Sequence, residues 1–305
     1  MKISVIGAGG VGGYFGARLA KAGHDVQFLA RGRHLQAMRE NGLRIESPVE
    51  SFVLENVRAT DDAGAFDKPD IMLVATKLWD LAETGRQMAP AVGERTVVVP
   101  LQNGVDAVDI LSGSLPAERV AAGVAIISAQ IGEPGTIRQT GPMARLRVGA
   151  LHSSQRETLQ AFVAAGAAAG FAAEFVDEPR RMLWEKFVML NALAGVTSLT
   201  RQTVGAIRDD PQLRAVLDAA IREGIALAQA SGASLAPDYE AGYRKMFEGL
   251  PADMRASMAH DLLAGRKLEA PWLCGAVVRR AEALGVPVPV NATIWAGLKP
   301  FASGG

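Results

Sequence analysis

The chain opens MKISVIGAGGVGGYFGARLAKAGHDVQFLA, and Gly7, Gly9 and Gly12 constrain its fold more than any other residues. KISVIG is a short apolar run closed by glycine, which reads as a buried strand. VGGYFGARLAKAG follows with helical periodicity, and Gly23 is a suitable C-terminal stop. The chain contains 33 glycines, so a G-x-G-x-x-G spacing would be weak evidence anywhere else. Here it leaves a strand and opens a helix within the first βαβ unit, the setting that holds a dinucleotide pyrophosphate. Gly7 permits the tight turn, Gly9 admits the pyrophosphate to the backbone, and Gly12 lets the helix pack closely on the sheet. The loop from Gly7 through Ala8, Gly9, Gly10 and Val11 to Gly12 then presents main-chain N–H groups to the phosphates.

The second strand, DVQFLA, runs into RGRH. A carboxylate normally stands at this strand end when the adenosine ribose has a free 2′-hydroxyl. This chain has none there and has Arg31 and Arg33 instead. A guanidinium can pair bidentately with a 2′-phosphate, so the expected cofactor is NADP (as NADPH) rather than NAD. The plainer alternative is solvated surface charge; the missing acid argues against it as much as the arginines do.

Beyond this unit, short apolar runs alternate with amphipathic stretches, the pattern of an α/β fold with a doubly wound sheet of Rossmann type. PDIMLVAT and TVVVPL read as buried strands, and GLRIESPVESFVLENV as an edge hairpin turning near Pro48. VAAGVAIISAQI and ARLRVGA extend the strand-rich half, SSQRETLQAFVAAGAAAG is a helix, and FAAEFV closes the region. From Asp177 the strand signal fades, and helices are expected over 179–200, 209–232, 236–248, 251–264 and 270–284. The expected domains are therefore 1–176, a cofactor-binding Rossmann domain, and 177–305, an all-helical substrate and catalytic domain. A cleft between two such halves is a common place for a small-molecule site.

The bulk properties exclude several classes. Lys+Arg and Asp+Glu are both 32, so no broad attraction to nucleic acid or an anionic membrane is expected. Cys274 is the only cysteine, and His24, His34, His152 and His260 show no ligand spacing, so no metal site is expected. No run of about twenty apolar residues is present, and the first apolar run is too short for a signal peptide. The expectation is a soluble, cytoplasmic protein acting on a small molecule, with a homodimer as the candidate assembly.

In LWEKFVMLNALAG, Lys186 shares a helical face with Met182, Leu190, Leu193 and Thr197. An ammonium on such a stripe either snorkels to water along its own stem or is held in a cleft to give up a proton.

The segments GAGGVGGYFG, VATKLWD, LQNGVDA, LWEKF, RASMAHDLLAGRKLE and GVPVPVN, in this order, resemble the ketopantoate reductase (2-dehydropantoate 2-reductase) family. The resemblance runs almost end to end. It implies an N-terminal Rossmann domain, a C-terminal helical domain, NADPH, and reduction of a 2-oxo acid to a 2-hydroxy acid. It places the catalytic lysine on Lys186, the phosphate-binding loop on Gly7 to Gly12 and the adenosine-phosphate arginine on Arg31. Lys77 and Asn103 match cofactor-binding positions, and Asn103, Ser257 and Glu269 match substrate-binding ones. Chemistry agrees: hydride arriving at a 2-oxo carbonyl leaves charge on oxygen, which a lysine can neutralise. The implied activity is conversion of 2-dehydropantoate to pantoate, a step of pantothenate and coenzyme A biosynthesis.

The sequence also departs from the family. Leu190 and Ala194 stand where asparagines often contact substrate, and Cys274 replaces the asparagine of an N-G pair. The nearest amide, Asn191, lies about 140° around an ideal helix from Lys186. The alternatives are therefore a reductase of a related, more apolar 2-oxo acid, or a non-catalytic NADP-binding sensor. A 3-hydroxy acid dehydrogenase would share the architecture without the LQNG and SMxxD segments.

Overall fold

Lys2–Ile6 (β1), with Ile3, Val5 and Ile6 buried, lies at the middle of a parallel sheet. Gly10–Lys21 (α1) returns the chain to Asp25–Leu29 (β2), and Gly32–Asn41 (α2) follows. The chain then makes a hairpin of Leu43–Glu46 (β3) and Phe52–Leu54 (β4) before Arg58–Thr60 (β5). Ile71–Val74 (β6), Leu81–Met88 (α3) and Val97–Pro100 (β7) complete the sheet, whose order is β5-β2-β1-β6-β7, every pair parallel. The computed structural model describes residues 1–304.

After Ala107–Ser112 (α4), Ala122–Ile131 (β8) and Thr136–Gly149 (β9) form a long antiparallel ladder, bulged between Ile127 and Ala129. Arg156–Ala168 (α5) leads to Ala172–Phe175 (β10). One side of β9 pairs with β8; its other side takes β3 near the N-terminal end and β10 near the C-terminal end. The hairpin expected at an edge thus belongs to a second sheet, with β4 as its rim.

Helix α1 is held between the two sheets by its glycines. A Cβ on Gly12 would overlap the Gly7 carbonyl, and one on Gly16 would meet Val5 and Phe28 of the first sheet. A Cβ on Gly10 would overlap the Ala129 carbonyl, and one on Gly13 would meet Ile137 of the second. Dispersion contacts of this closeness need bare backbone.

The remainder is helical: Pro179–Thr200 (α6), Val204–Asp209 (α7), Pro211–Ala230 (α8), Tyr239–Glu248 (α9), Ser257–Leu263 (α10), Cys274–Leu284 (α11) and Pro289–Leu298 (α12). The chain divides into two compact units. One is Met1–Gln102 with Ala107–Pro179; the other is Asn103–Asp106 with the chain from Arg180 on. Each has its own apolar core.

Two helical expectations shift, and one helix goes unexpected, for local reasons. The span 209–232 begins at Pro211, because Asp210 caps α8 by accepting from Gln212 and Leu213 and so ends α7. The span 251–264 is helical only from Ser257, because the carbonyls of Ala252 and Met254 accept the N–H groups of Gly205 and Val204 at the start of α7. Helix α12 carried no local signal beyond Pro289 at its start. Its first N–H groups are capped by a distant carboxylate: Val290 and Asn291 both donate to Glu223 at 2.8 Å.

Candidate active site

Within the helical unit, Lys186 projects from α6 among buried neighbours and is itself partly buried. Its Nζ donates to Asn103 Oδ1 at 3.0 Å, and Asn103 Nδ2 donates to Glu269 Oε2 at 3.1 Å. These bonds fix the amide's orientation, oxygen toward the ammonium and nitrogen toward the carboxylate. Glu269 is nearly buried and precedes the short turn Ala270–Trp272. Desolvation lowers the Lys186 pKa to about 8, while the Glu269 charge pulls it back up. The outcome is a lysine protonated at neutral pH yet much readier than usual to release its proton.

Ser257 stands exposed as the first residue of α10, outside this hydrogen-bonded group. Leu190 is partly buried against the apolar core, and Ala194 and Cys274 are within it. Burial pushes the Cys274 thiol up to about 12, so it stays neutral, directed at the Ala270 carbonyl 3.5 Å away. Asn191 does not replace the missing amides: it is buried and donates to Asn291 Oδ1 at 2.7 Å, tying α6 to α12.

In the other unit, the N–H groups of Gly7 and Ala8 donate to Leu29 at the end of β2, at 3.2 and 2.8 Å. Gly7 takes φ +102°, a backbone conformation that suits glycine. Nothing lies within 4 Å of where a Gly9 Cβ would stand. Gly9 also ends the loop as the α1 N-cap, with no side chain capping the helix and no acid in its first turn. An open approach to bare N–H groups at a helix start fits a phosphate. Arg31 is exposed after β2, with Nη2 donating to Gln87 Oε1 at 3.0 Å, and Lys77 is exposed with Nζ 5.5 Å from the Trp79 ring centre.

His34 was not singled out by sequence. Its Nδ1 accepts from Gly135 N at 3.0 Å, so Nε2 carries the hydrogen and donates to the Ala8 carbonyl at 2.9 Å. Burial lowers its pKa, which keeps this neutral tautomer and braces the glycine loop. Only its position after RGR could have suggested a role.

The family model for ketopantoate reductase PanE/ApbA matches residues 3–153, and that for its C-terminal part matches residues 178–302. The chain is a member of the ketopantoate reductase family. A 2-dehydropantoate 2-reductase of Mesorhizobium japonicum is 30% identical, over 99% of this chain and 98% of that protein. An uncharacterized oxidoreductase of Bacillus subtilis, YkpB, is 28% identical over 99% of each. The crystal structure of a PanE/ApbA family ketopantoate reductase from Ralstonia eutropha superposes with a TM-score of 0.89 at 33% identity, covering 99% of this chain and 98% of that one. This ketopantoate reductase family member is therefore an oxidoreductase of the 2-oxo acid class with a nicotinamide cofactor. Among the described residues no helix is long and apolar enough to cross a membrane.

Proposed function

We propose that the protein reduces 2-dehydropantoate to pantoate with NADPH, on the route to pantothenate and coenzyme A. The observation that carries this reading is the chain Lys186–Asn103–Glu269, with a lysine whose pKa is lowered to about 8. When bound, the reduced cofactor supplies a hydride to the carbonyl carbon. Gly7, Ala8, Gly9, Gly10, Val11 and Gly12 bind its phosphates, with Arg31 and Lys77 alongside. Lys186 holds positive charge at the carbonyl oxygen and delivers the proton that completes the alcohol. Asn103 keeps the ammonium aligned, and Glu269 and Ser257 bind the substrate's polar groups. A non-catalytic sensor has no need of a proton donor with this pKa, so that alternative is not favoured.

The test is an NADPH-oxidation screen over a panel of 2-oxo acids that includes 2-dehydropantoate. No turnover with any of them would overturn the reading. For the cofactor, NADPH should bind about ten- to a hundredfold more tightly than NADH, and Arg31→Ala should remove the difference. Fluorescence titration of both cofactors measures it, and equal affinities in the wild type would exclude a 2′-phosphate site.

A second reading, a more apolar 2-oxo acid as preferred substrate, is favoured by the apolar side chains at Leu190, Ala194 and Cys274. A hydroxylated substrate loses affinity where its hydroxyl is desolvated without a partner. On this reading Leu190→Asn raises kcat/KM for 2-dehydropantoate relative to an apolar analogue. A strong wild-type preference for 2-dehydropantoate, worsened by Leu190→Asn, decides for the first reading.

A further inference from the structure

Asn103 and Glu269 lie far apart in sequence, and neither sits on a long helix or a strand. Asn103 is in a turn where Gly104 has φ +101°, and a Cβ there would stand 3.1 Å from the Trp272 carbonyl oxygen. Glu269 enters the single turn Ala270–Trp272. Side chains on such loops keep a productive geometry only when the loops are themselves held.

Helix α11 holds both. Arg280 donates from Nε and Nη2 to Asp106 Oδ1, at 2.9 and 2.6 Å. Arg279 donates from Nη2 to the other carboxylate oxygen at 3.3 Å, and from Nη1 to the Pro271 carbonyl at 2.7 Å. Asp106 is three residues after Asn103, and Pro271 is two after Glu269. An exposed ion pair would contribute little, but the Asp106 side chain is only 15% exposed and is bound by two guanidinium groups.

The geometry points to Asp106, Arg279 and Arg280 as a clamp that positions Asn103 and Glu269 for Lys186. They are positioning residues, since they act on Asn103 and Glu269 through the loops that carry them. The inference rests on the reading of Lys186 as the proton donor. Misplacement of an aligned group by about 1 Å can cost about a hundredfold in rate.

The test compares Asp106→Asn, Asn103→Ala and the double variant, each checked for folding by thermal melting. Asp106→Asn should lower kcat about ten- to a hundredfold. In the Asn103→Ala background it should cost much less, because only Glu269 is then left to position. Should Asp106→Asn fail to fold, Arg280→Lys keeps the charge but loses the fork, and a smaller loss of kcat is expected. Lys186 titration, read by NMR in lysine-labelled protein, supplies a measurement independent of turnover. Loosening the clamp admits water to Nζ and should raise its pKa toward the ordinary lysine value in Asp106→Asn. If the wild type oxidises NADPH with no 2-oxo acid, the functional reading falls, while the titration still decides the clamp. An unmoved titration in Asp106→Asn, or an equal kcat loss with and without Asn103, would overturn it.

Discussion

On the proposed mechanism Lys186 has two tasks at once, to stay charged at neutral pH and to let go of a proton. Its environment divides these tasks: burial lowers the pKa, and the Glu269 carboxylate limits how far. Lys186→Ala should cut kcat about 10²–10⁴-fold while cofactor affinity stays nearly unchanged, as steady-state kinetics and fluorescence titration would show. Turnover within a few-fold of wild type would return Lys186 to the role of a snorkelling residue. The pH dependence has a definite sign. On that mechanism reduction needs the protonated lysine, so its rate should be level below a pH of about 8 and fall above it. The reverse oxidation needs the neutral amine and rises through the same region. Glu269→Gln removes the charge that lifts the pKa, so the alkaline limb of reduction should move to lower pH. A kcat/KM profile of both proteins checks this, and an unshifted limb would detach Glu269 from the lysine's titration.

At the scale of elements, the glycines of α1 separate packing from binding. Gly12→Ala places a methyl group against the Gly7 carbonyl and should cost about 1–3 kcal/mol of stability, seen as a lowered melting temperature. Gly9→Ala meets nothing within 4 Å and keeps an ordinary negative φ, so melting should hardly change while NADPH affinity falls. If both substitutions act alike on stability, the distinction between a packing glycine and an approach glycine is wrong. The close packing at Gly12 and the open approach at Gly9 were legible in sequence because G-x-G-x-x-G carries its own geometry. The second faces of α1, Gly10 on Ala129 and Gly13 on Ile137, were not, since the second sheet is assembled from segments far apart in the chain. Helix α6 matches the periodicity over 179–200 because its apolar positions recur along its whole length. Helix α12 was missed because Glu223, about seventy residues earlier, does the work of its cap. In the site, Lys186 stood out by its place on an apolar helical stripe, while its role and those of Asn103 and Glu269 came from the resemblance. The partners that fix them, Asp106 and two arginines of α11, leave no pattern in local spacing.

Over the whole molecule, the chain passes between its two units at 102/103, 106/107 and 179/180. The tetrapeptide Asn103–Asp106 is therefore part of the helical unit although both its flanks belong to the other. A chimera joining residues 1–179 of a relative to residues 180–305 of this chain receives the relative's tetrapeptide. Where that donor lacks an acid at the Asp106 position, Arg279 and Arg280 lose their carboxylate. Such a chimera should melt below both parents and lose kcat, and restoring the acid alone should recover much of both. Differential scanning calorimetry and kinetics decide it, and a chimera as stable and active as its parents without the acid would show the tetrapeptide to be interchangeable. The consequence reaches into inheritance: a gene of this kind has no single breakpoint that recombination can use to trade one unit for another intact, so the four codons and the two arginine codons have to travel together.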